Sequence, residues 1–267
     1  MGLANLSTWG TAGYTGNVNN LLAVQKATAQ EVVHVASIET LLQHNGAQTI
    51  SPCQYAFPVS NAEEFFALAN IITSVGIGAI FDLQDGVSKS DPGLEVSVSA
   101  IVTIESRHDA FFRMTAGEAP NPSPFDTRIS GVWAYNLALD FVVPGSCGNN
   151  LPTSITSLPV FPPLGLVGTD EPAFASTNSI GTLVFTVNTN QMPSGWSNKP
   201  LFMGWVNQEL APIYTPVTVM NGNQLQTQVP AGLTGMAFVA LTGQNTAADV
   251  TALTAATIAG PLPIPIS

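Results

Sequence analysis

The sequence predicts an α+β protein made of two parts, a helical bundle followed by an all-β sandwich. Apolar residues recur every three to four positions in the first half of the chain, which is the period of helices that pack on a core. Beyond Cys147 the chain consists of short segments rich in β-forming residues, separated by turn sequences such as Asn221-Gly222. We therefore expect an N-terminal loop over residues 1–16, a helical domain over 17–150 and a β-domain over 151–267.

The composition narrows the range of partners. The chain has 6 basic and 17 acidic residues among 267, which gives a formal net charge of -11. Nucleic acid and anionic membrane surfaces both select basic side chains, so we expect neither as a partner. An acidic, lysine-poor composition is typical of extracellular proteins. We therefore expect a secreted protein. Since no signal peptide is visible at the start of this chain, the sequence would then be a processed or trimmed form.

The apolar periodicity predicts four helices. They are Asn17 to His44, Ser60 to Leu83, Asp91 to Ala116 and Ile129 to Val142. Glu63 follows Ser60 at the spacing of a capping box, and Asp85-Gly86 is expected to end the second helix. Polar residues and glycines interrupt the apolar stretch from Phe65 to Phe81, which indicates a buried helix instead of a membrane span.

The second half predicts short strands. The expected segments are Ile180 to Val187, Leu201 to Val206, Tyr214 to Met220, Leu225 to Val229 and Met236 to Leu241. Strands of this length and spacing are typical of an immunoglobulin-like or fibronectin-like sandwich.

Two cysteines, Cys53 and Cys147, flank most of the helical region. Their wide separation favours one disulfide that closes a long loop, and a secreted composition agrees with it. Two separate buried thiols remain the alternative.

Two of the three histidines occur in the same local pattern. Glu31 precedes His34 by three residues on the first helix, and Glu105 precedes His108 by three on the third. Residues three apart share a helical face, so each pair can reach a common metal ion. Ferritin-like dimetal sites use two such helices and a single Glu from each of two others. The plainer interpretation is two buried Glu–His pairs that satisfy each other by hydrogen bonds.

Several further motifs accompany these pairs. They are Glu31-Val-Val-His34-Val, Pro52-Cys53-Gln-Tyr55-Ala-Phe57-Pro58, Phe66-Ala-Leu-Ala69, Val75-Gly76-Ile-Gly78-Ala79, Ile104-Glu105-Ser-Arg107-His108 and Pro124-Phe125-Asp126-Thr127. On the basis of these motifs and the two Glu–His pairs, the chain resembles the fungal ferritin-like stress-response family, which is related to plant desiccation-related proteins. The resemblance implies a ferritin-like bundle, a C-terminal all-β region and a disulfide between Cys53 and Cys147.

The chain departs from that family at two ligand positions. The family's first bundle helix normally precedes Gly2-Leu3-Ala4-Asn5, so we expect this helix and its Glu to be absent. The intervening helix has Ile72-Thr73-Ser74 where the family has its other single Glu. Four of the six ligands that such a site uses then remain, namely Glu31, His34, Glu105 and His108. We expect these four to hold a single divalent metal ion (Fe, Mn or Zn), or else to form a metal-free core.

A bundle that lacks a helix leaves an apolar groove. We therefore expect the groove to be closed by self-association as a homo-oligomer or by a partner that donates a helix.

Three functions follow from these features. The leading hypothesis is a non-catalytic or weakly metal-binding extracellular ferritin-like protein with a structural or stress-associated role. The second is a ferritin-like di-metal oxidase or metal-storage protein, which the two missing ligands disfavour, so no enzyme activity is predicted. The third is an adhesion or carbohydrate-binding protein that acts through the β-domain, where Trp196 and Trp205 would form a sugar platform, although anchoring of the core is the simpler role for them.

Overall fold

The helical part contains three long helices and one short one. In the computed structural model, which describes residues 18–148, 151–167 and 181–266, they are α1 (Val18–His44), α2 (Ala62–Ser90), α3 (Glu95–Thr115) and α4 (Gly131–Leu139). A one-turn helix, α5 (Thr153–Thr156), follows. All four predicted helices are present. The predicted N-terminal loop over residues 1–16 and the expected cap at Asn17 lie outside the described residues.

The three long helices pack around a small aromatic core, with α1 and α2 parallel to each other and α3 antiparallel to both. Val24 of α1, Phe66 of α2 and Phe112 of α3 belong to one buried cluster, which places the start of α1, the start of α2 and the end of α3 side by side. Because α2 and α3 form a helical hairpin, α3 runs antiparallel to α2 and also to α1. The segment between α1 and α2 therefore has to return the chain to the end of the bundle where α1 began.

The predicted end of α2 at Asp85-Gly86 is wrong, because the helix continues to Ser90. Asp85 lies 2.9 Å from Nζ of Lys89, one helical turn further along, and 3.1 Å from Nη2 of Arg128. These ion pairs favour helix on both sides of Gly86 and counter part of the preference of glycine against a helix interior.

The capping box at the start of α2 lies one residue later than predicted. Asn61 is the N-cap, and its side chain accepts a hydrogen bond from the backbone nitrogen of Glu64. Glu64 reaches back to accept hydrogen bonds from the backbone nitrogen and the hydroxyl of Ser60. The predicted pair is therefore displaced: Asn61 caps the helix instead of Ser60, and Glu64 instead of Glu63 reaches back, to the residue before the N-cap.

By length and composition alone, α2 could cross a membrane, which is a weak indication because the core helix of a soluble protein meets the same description. Phe66, Ile71 and Ile77 of this helix are buried within the protein. The expectation of no membrane partner stays a prediction.

The predicted disulfide between Cys53 and Cys147 is present, with an Sγ–Sγ distance of 2.04 Å. Two backbone hydrogen bonds next to the disulfide join the same two segments: the nitrogen of Val143 donates to the carbonyl of Gln54 (2.9 Å), and the nitrogen of Ala56 donates to the carbonyl of Phe141 (2.8 Å). The segment that leads into α2 is thereby fixed to the segment that follows α4.

In residues 151–167 and 181–266, the β-part consists of two four-stranded antiparallel sheets. Its strands are β1 (Leu164–Leu166), β2 (Thr182–Val187), β3 (Phe202–Asn207), β4 (Ile213–Pro216), β5 (Thr218–Val219), β6 (Gln224–Gln228), β7 (Gly235–Thr242) and β8 (Thr257–Ile266), and a short helix, α6 (Val250–Ala255), precedes the last strand. The strand orders are β1-β2-β6-β5 and β4-β3-β7-β8. Lettered in chain order with β4 as C′, these orders are A-B-E-D and C′-C-F-G, which is the arrangement of an immunoglobulin-like sandwich.

Trp205 occupies the centre of the sandwich. Its side chain has no exposed area, its ring packs edge-on against Phe185 at 6.2 Å, and its indole nitrogen donates to the hydroxyl of Thr215. Trp205 therefore cannot take part in a sugar platform with Trp196, which itself packs against the same core. The alternative that these tryptophans anchor the core is correct.

The helical part and the sandwich share a buried interface. One apolar cluster combines Ile71 of α2 and Trp133 of α4 with Phe238 of β7 and Leu253 of α6. The buried hydroxyl of Thr127 donates to the carbonyl of Met236 (2.5 Å) and accepts from the backbone nitrogen of Gln208 (2.8 Å). The division into domains at 150/151 stays a prediction, and the packing joins its two sides through a common core.

Candidate metal centre

The two Glu–His pairs predicted from the sequence meet between α1 and α3. Nδ1 of His34 lies 3.0 Å from Oε1 of Glu105, and Nδ1 of His108 lies 3.1 Å from Oε1 of Glu31. Within each helix the Nδ1 to carboxylate distances are 3.5 Å for the pair at 31 and 34, and 3.6 Å for the pair at 105 and 108. Because α1 and α3 run antiparallel, each imidazole faces the carboxylate of the opposite helix. Two carboxylates and two imidazoles thus form one closed cluster.

Three of the four side chains are close enough to bind one ion together. Ligand atoms of Glu31, Glu105 and His108 all lie within 4.8 Å of one another. His34 is outside this mutually close set, although its Nδ1 contacts both carboxylates. The predicted role of these four residues as metal ligands remains a proposal, and the structure places all of them at one point.

The cluster alters the protonation of its members. Hydrogen bonds to Glu105 and Glu31 raise the pKa of His108 to about 9, against the opposing effect of burial. Partial burial opposes the charge on Glu31, but hydrogen bonding with His108 and contact with Glu105 outweigh it, so the pKa of Glu31 lies below its usual value. Near neutral pH the metal-free cluster therefore contains a charged imidazolium beside a carboxylate.

The cluster forms the polar part of an otherwise apolar groove of about 480 Å³. Side chains from α1, α2, α3 and the segment before α2 form its walls, among them Phe57, Phe65, Ile72, Ile101 and Phe112. Ile72 and Thr73 line the groove from the middle of α2, at the place where the resemblance implies a Glu. Among the described residues that line the groove, Glu31 and Glu105 are the only carboxylates.

A second polar network next to the cluster was not predicted. Asp109 follows His108 but points towards α2, where its Oδ1 accepts hydrogen bonds from Asn70 (2.7 Å) and Ser74 (3.0 Å). Burial raises the pKa of Asp109 to about 6, with a further contribution from the charge of Asp126. The one available signal was a pair of polar residues four apart, Asn70 and Ser74, on the buried face of an apolar helix. Asp109 ties α3 to α2 and thereby helps to fix the orientation of the His108 turn.

The residues of the cluster suit a divalent transition-metal ion. Carboxylate oxygens and imidazole nitrogens together are typical ligands of iron, manganese and zinc. Nδ1 of His34 is buried and makes no hydrogen bond, although it lies 3.0 Å from a carboxylate oxygen. Buried polar atoms normally have a hydrogen-bond partner. A metal ion bound between the two helices would supply a partner for Nδ1 of His34.

Comparison with known proteins agrees with this geometry. Residues 2–118 match the family model described as a ferritin-like domain, a segment that contains α1, α2, α3 and both Glu–His pairs. No curated protein matches the chain. The three long helices thus belong to a ferritin-like domain, and the predicted combination of such a domain with a C-terminal two-sheet sandwich is confirmed.

Proposed function

We propose that this protein binds one divalent transition-metal ion through Glu31, His34, Glu105 and His108, and that the ion has a structural, non-catalytic role. The observation that carries the proposal is the convergence of two carboxylates and two imidazoles from antiparallel helices on one point of the groove. A ferritin-like domain is a setting in which such side chains bind metals.

The number of carboxylates favours one ion over two. Two-metal catalytic sites generally hold their ions about 3.5–4 Å apart, and in ferritin-like proteins four carboxylates surround the two ions. The described residues around this groove supply only Glu31 and Glu105. One ion can be held by these two carboxylates and two imidazoles, whereas a second ion would have no carboxylates of its own.

The position of α1 indicates what the ion would contribute. Several apolar side chains of this helix face water, including Val32 and Val33, which are 64% and 61% exposed. The buried contacts of α1 with α2 and α3 involve few residues, chiefly Val24 and Ala27 near its start. An ion bound between Glu31 and Glu105 would therefore fasten the middle of α1 to α3, and its binding energy would add to the stability of the fold.

We further propose that the protein functions outside the cell. The disulfide between Cys53 and Cys147 and the net charge of -11 both support this location. The stress-associated role that the resemblance implies belongs to the same proposal.

Metal analysis tests the proposal directly. The full-length chain, stripped with chelator, is dialysed against Zn²⁺, Mn²⁺ or, without oxygen, Fe²⁺, and bound metal is measured by mass spectrometry. We expect one ion per chain in the wild type and a loss of binding in the double variant Glu31→Gln/Glu105→Gln.

The matched control is Glu39→Gln/Glu95→Gln, which makes the same changes on the same two helices outside the groove. It should bind as the wild type does. Two irons per chain with oxygen consumption would establish the di-metal oxidase instead, and unchanged binding by the Glu31→Gln/Glu105→Gln variant would refute the proposed site.

A further inference from the structure

The two imidazoles of the cluster are held differently. Nε2 of His108 lies 2.8 Å from Oε1 of Gln30, while Nδ1 of the same ring faces the carboxylates of Glu31 and Glu105. Both nitrogens of His108 therefore have a defined partner. Nδ1 of His34 lies 3.0 Å from Glu105 and 3.5 Å from Glu31, but neither contact has the geometry of a hydrogen bond. Of the two rings, the structure orients His108 more firmly.

The geometry points to Gln30 as the positioning residue that selects which nitrogen of His108 binds the metal ion, an inference that rests on the proposed function. An amide oxygen only accepts hydrogen bonds, so Nε2 has to carry a hydrogen to reach it. When the ring is neutral, that hydrogen leaves the lone pair on Nδ1, which is the nitrogen directed at Glu31 and Glu105. Gln30 thus presents Nδ1 as the ligand atom.

Gln30 can do this because of where it lies on α1. It directly precedes Glu31, so the two side chains leave the helix about 100° apart and reach His108 from two sides. One helical turn of α1 therefore supplies both a metal ligand and the residue that orients a ligand on α3. Partners of this kind, which bind the non-coordinating nitrogen of a metal-ligating histidine, commonly contribute 10- to 100-fold to metal affinity.

The alternative orientation of the Gln30 amide would have the opposite consequence. Its NH₂ group would then donate to Nε2, the hydrogen of a neutral ring would move to Nδ1, and Nε2 would be the nitrogen left to bind metal. The two arrangements thus predict different coordinating atoms, which nitrogen NMR distinguishes.

The first test is a two-bond ¹H–¹⁵N correlation spectrum of the ¹⁵N-labelled, Zn²⁺-saturated protein, with His108 assigned through the His108→Gln variant. We expect Nδ1 of His108 to show the shift of a zinc-bound nitrogen and Nε2 to carry the proton. Coordination through Nε2 would overturn the inference.

The second test compares Zn²⁺ affinities measured by competition with a chromophoric chelator. Gln30→Leu removes the acceptor and should weaken binding by about 10-fold or more. Gln30→Glu keeps an acceptor at this position and should restore most of the affinity. Gln25→Leu makes the same change at an exposed position of α1 and should bind as the wild type does. Equal affinity for Gln30→Leu and Gln25→Leu would overturn the inference.

Failure of the proposed function can be recognised separately. If the wild type binds no Zn²⁺, the metal site itself is refuted. The tautomer of His108 in the metal-free protein at alkaline pH, where the ring is neutral, then still tests Gln30. We expect the Nε2–H form in the wild type and a mixture of tautomers in Gln30→Leu, and a mixture in the wild type would overturn the role of Gln30.

Discussion

Nδ1 of His34 on α1 lies 3.0 Å from Oε1 of Glu105 on α3, and this contact closes a cluster in which every imidazole faces a carboxylate of the opposite helix. The side chains of His34 and Glu105 are only 15% and 12% exposed. Interactions at such shielded positions are weakly screened by water and salt, so the cluster matters for stability even without a metal ion.

The first prediction concerns loss of a central carboxylate. Glu105→Ala in the metal-free protein should lower the free energy of unfolding by about 1–3 kcal/mol, because both imidazoles lose a shielded partner. Urea denaturation measures the effect. Glu39→Ala on α1, outside the cluster, is the control and should change it by less than about 0.5 kcal/mol. Equal effects of the two substitutions would contradict the structural role of the cluster.

The second prediction concerns pH. The pKa of His108 is raised from 6.5 to about 9 in the folded protein by Glu105 and Glu31. A group whose pKa rises on folding stabilises the fold fully below its unfolded pKa, and this contribution is lost as the pH passes the folded pKa. The free energy of unfolding of the metal-free protein should therefore fall between pH 6.5 and 9. In His108→Gln this part of the decline should vanish, and an unchanged profile would contradict the assignment.

The third prediction concerns the contact of α2 with the segment before α4. A Cβ on Gly78 would lie 2.6 Å from the carbonyl oxygen of Thr127, whereas a Cβ on Gly76 would meet nothing within 4 Å. Gly78→Ala should destabilise the protein by about 1–3 kcal/mol, since backbone has to move. Gly76→Ala should stabilise it by up to about 1 kcal/mol, because alanine favours a helix interior. Thermal denaturation separates the two, and effects of the same sign would contradict the packing.

The fourth prediction concerns the disulfide. Cys53 and Cys147 are 94 positions apart, so their bond restricts a long loop of the unfolded chain. The Cys53→Ser/Cys147→Ser variant should lose about 2–5 kcal/mol of stability. The wild type treated with a reductant should match it. If reduction leaves the denaturation midpoint unchanged, the bond contributes nothing to stability.

The fifth prediction concerns self-association through the groove, which is still untested. Val35 and Ile38 line the groove yet are 55% and 44% exposed. Light scattering should show a concentration-dependent oligomer that Val35→Ser/Ile38→Ser weakens. Val96→Ser, at an 80% exposed position of α3 outside the groove, should have no effect. A wild-type monomer at every concentration would refute the prediction.

Local sequence patterns predicted the four helices and placed each Glu–His pair on one helical face, because both depend on helical spacing, while the role of these residues as metal ligands stays a prediction. Glu31 with His34 and Glu105 with His108 could be placed on common faces from their positions alone. Gln30 and Asp109 could not be found in this way, because their roles depend on contacts with a different helix. The end of α2 was missed for the same reason, since Arg128 pairs with Asp85 from a distant segment.

The last strand, β8, could not be predicted from the sequence for a different reason. β8 is not among the predicted strands, since it contains Pro261, Pro263 and Pro265, and proline disfavours strands. The sheet order β4-β3-β7-β8 places this strand at an edge, where a proline without an N–H leaves no neighbour unsatisfied. Position within a sheet decides whether proline is tolerated, and a single sequence does not reveal that position.

Because a buried cluster joins the helices to the sandwich, we expect neither half to fold by itself. Trp133 and Phe238 have no exposed area, and both owe this to atoms contributed across the boundary. Either half expressed by itself would expose the apolar side chains of this cluster to water and would aggregate or unfold. A calorimeter should accordingly record one melting event for the intact chain, and an ion captured by the helices would raise the temperature at which the sandwich comes apart.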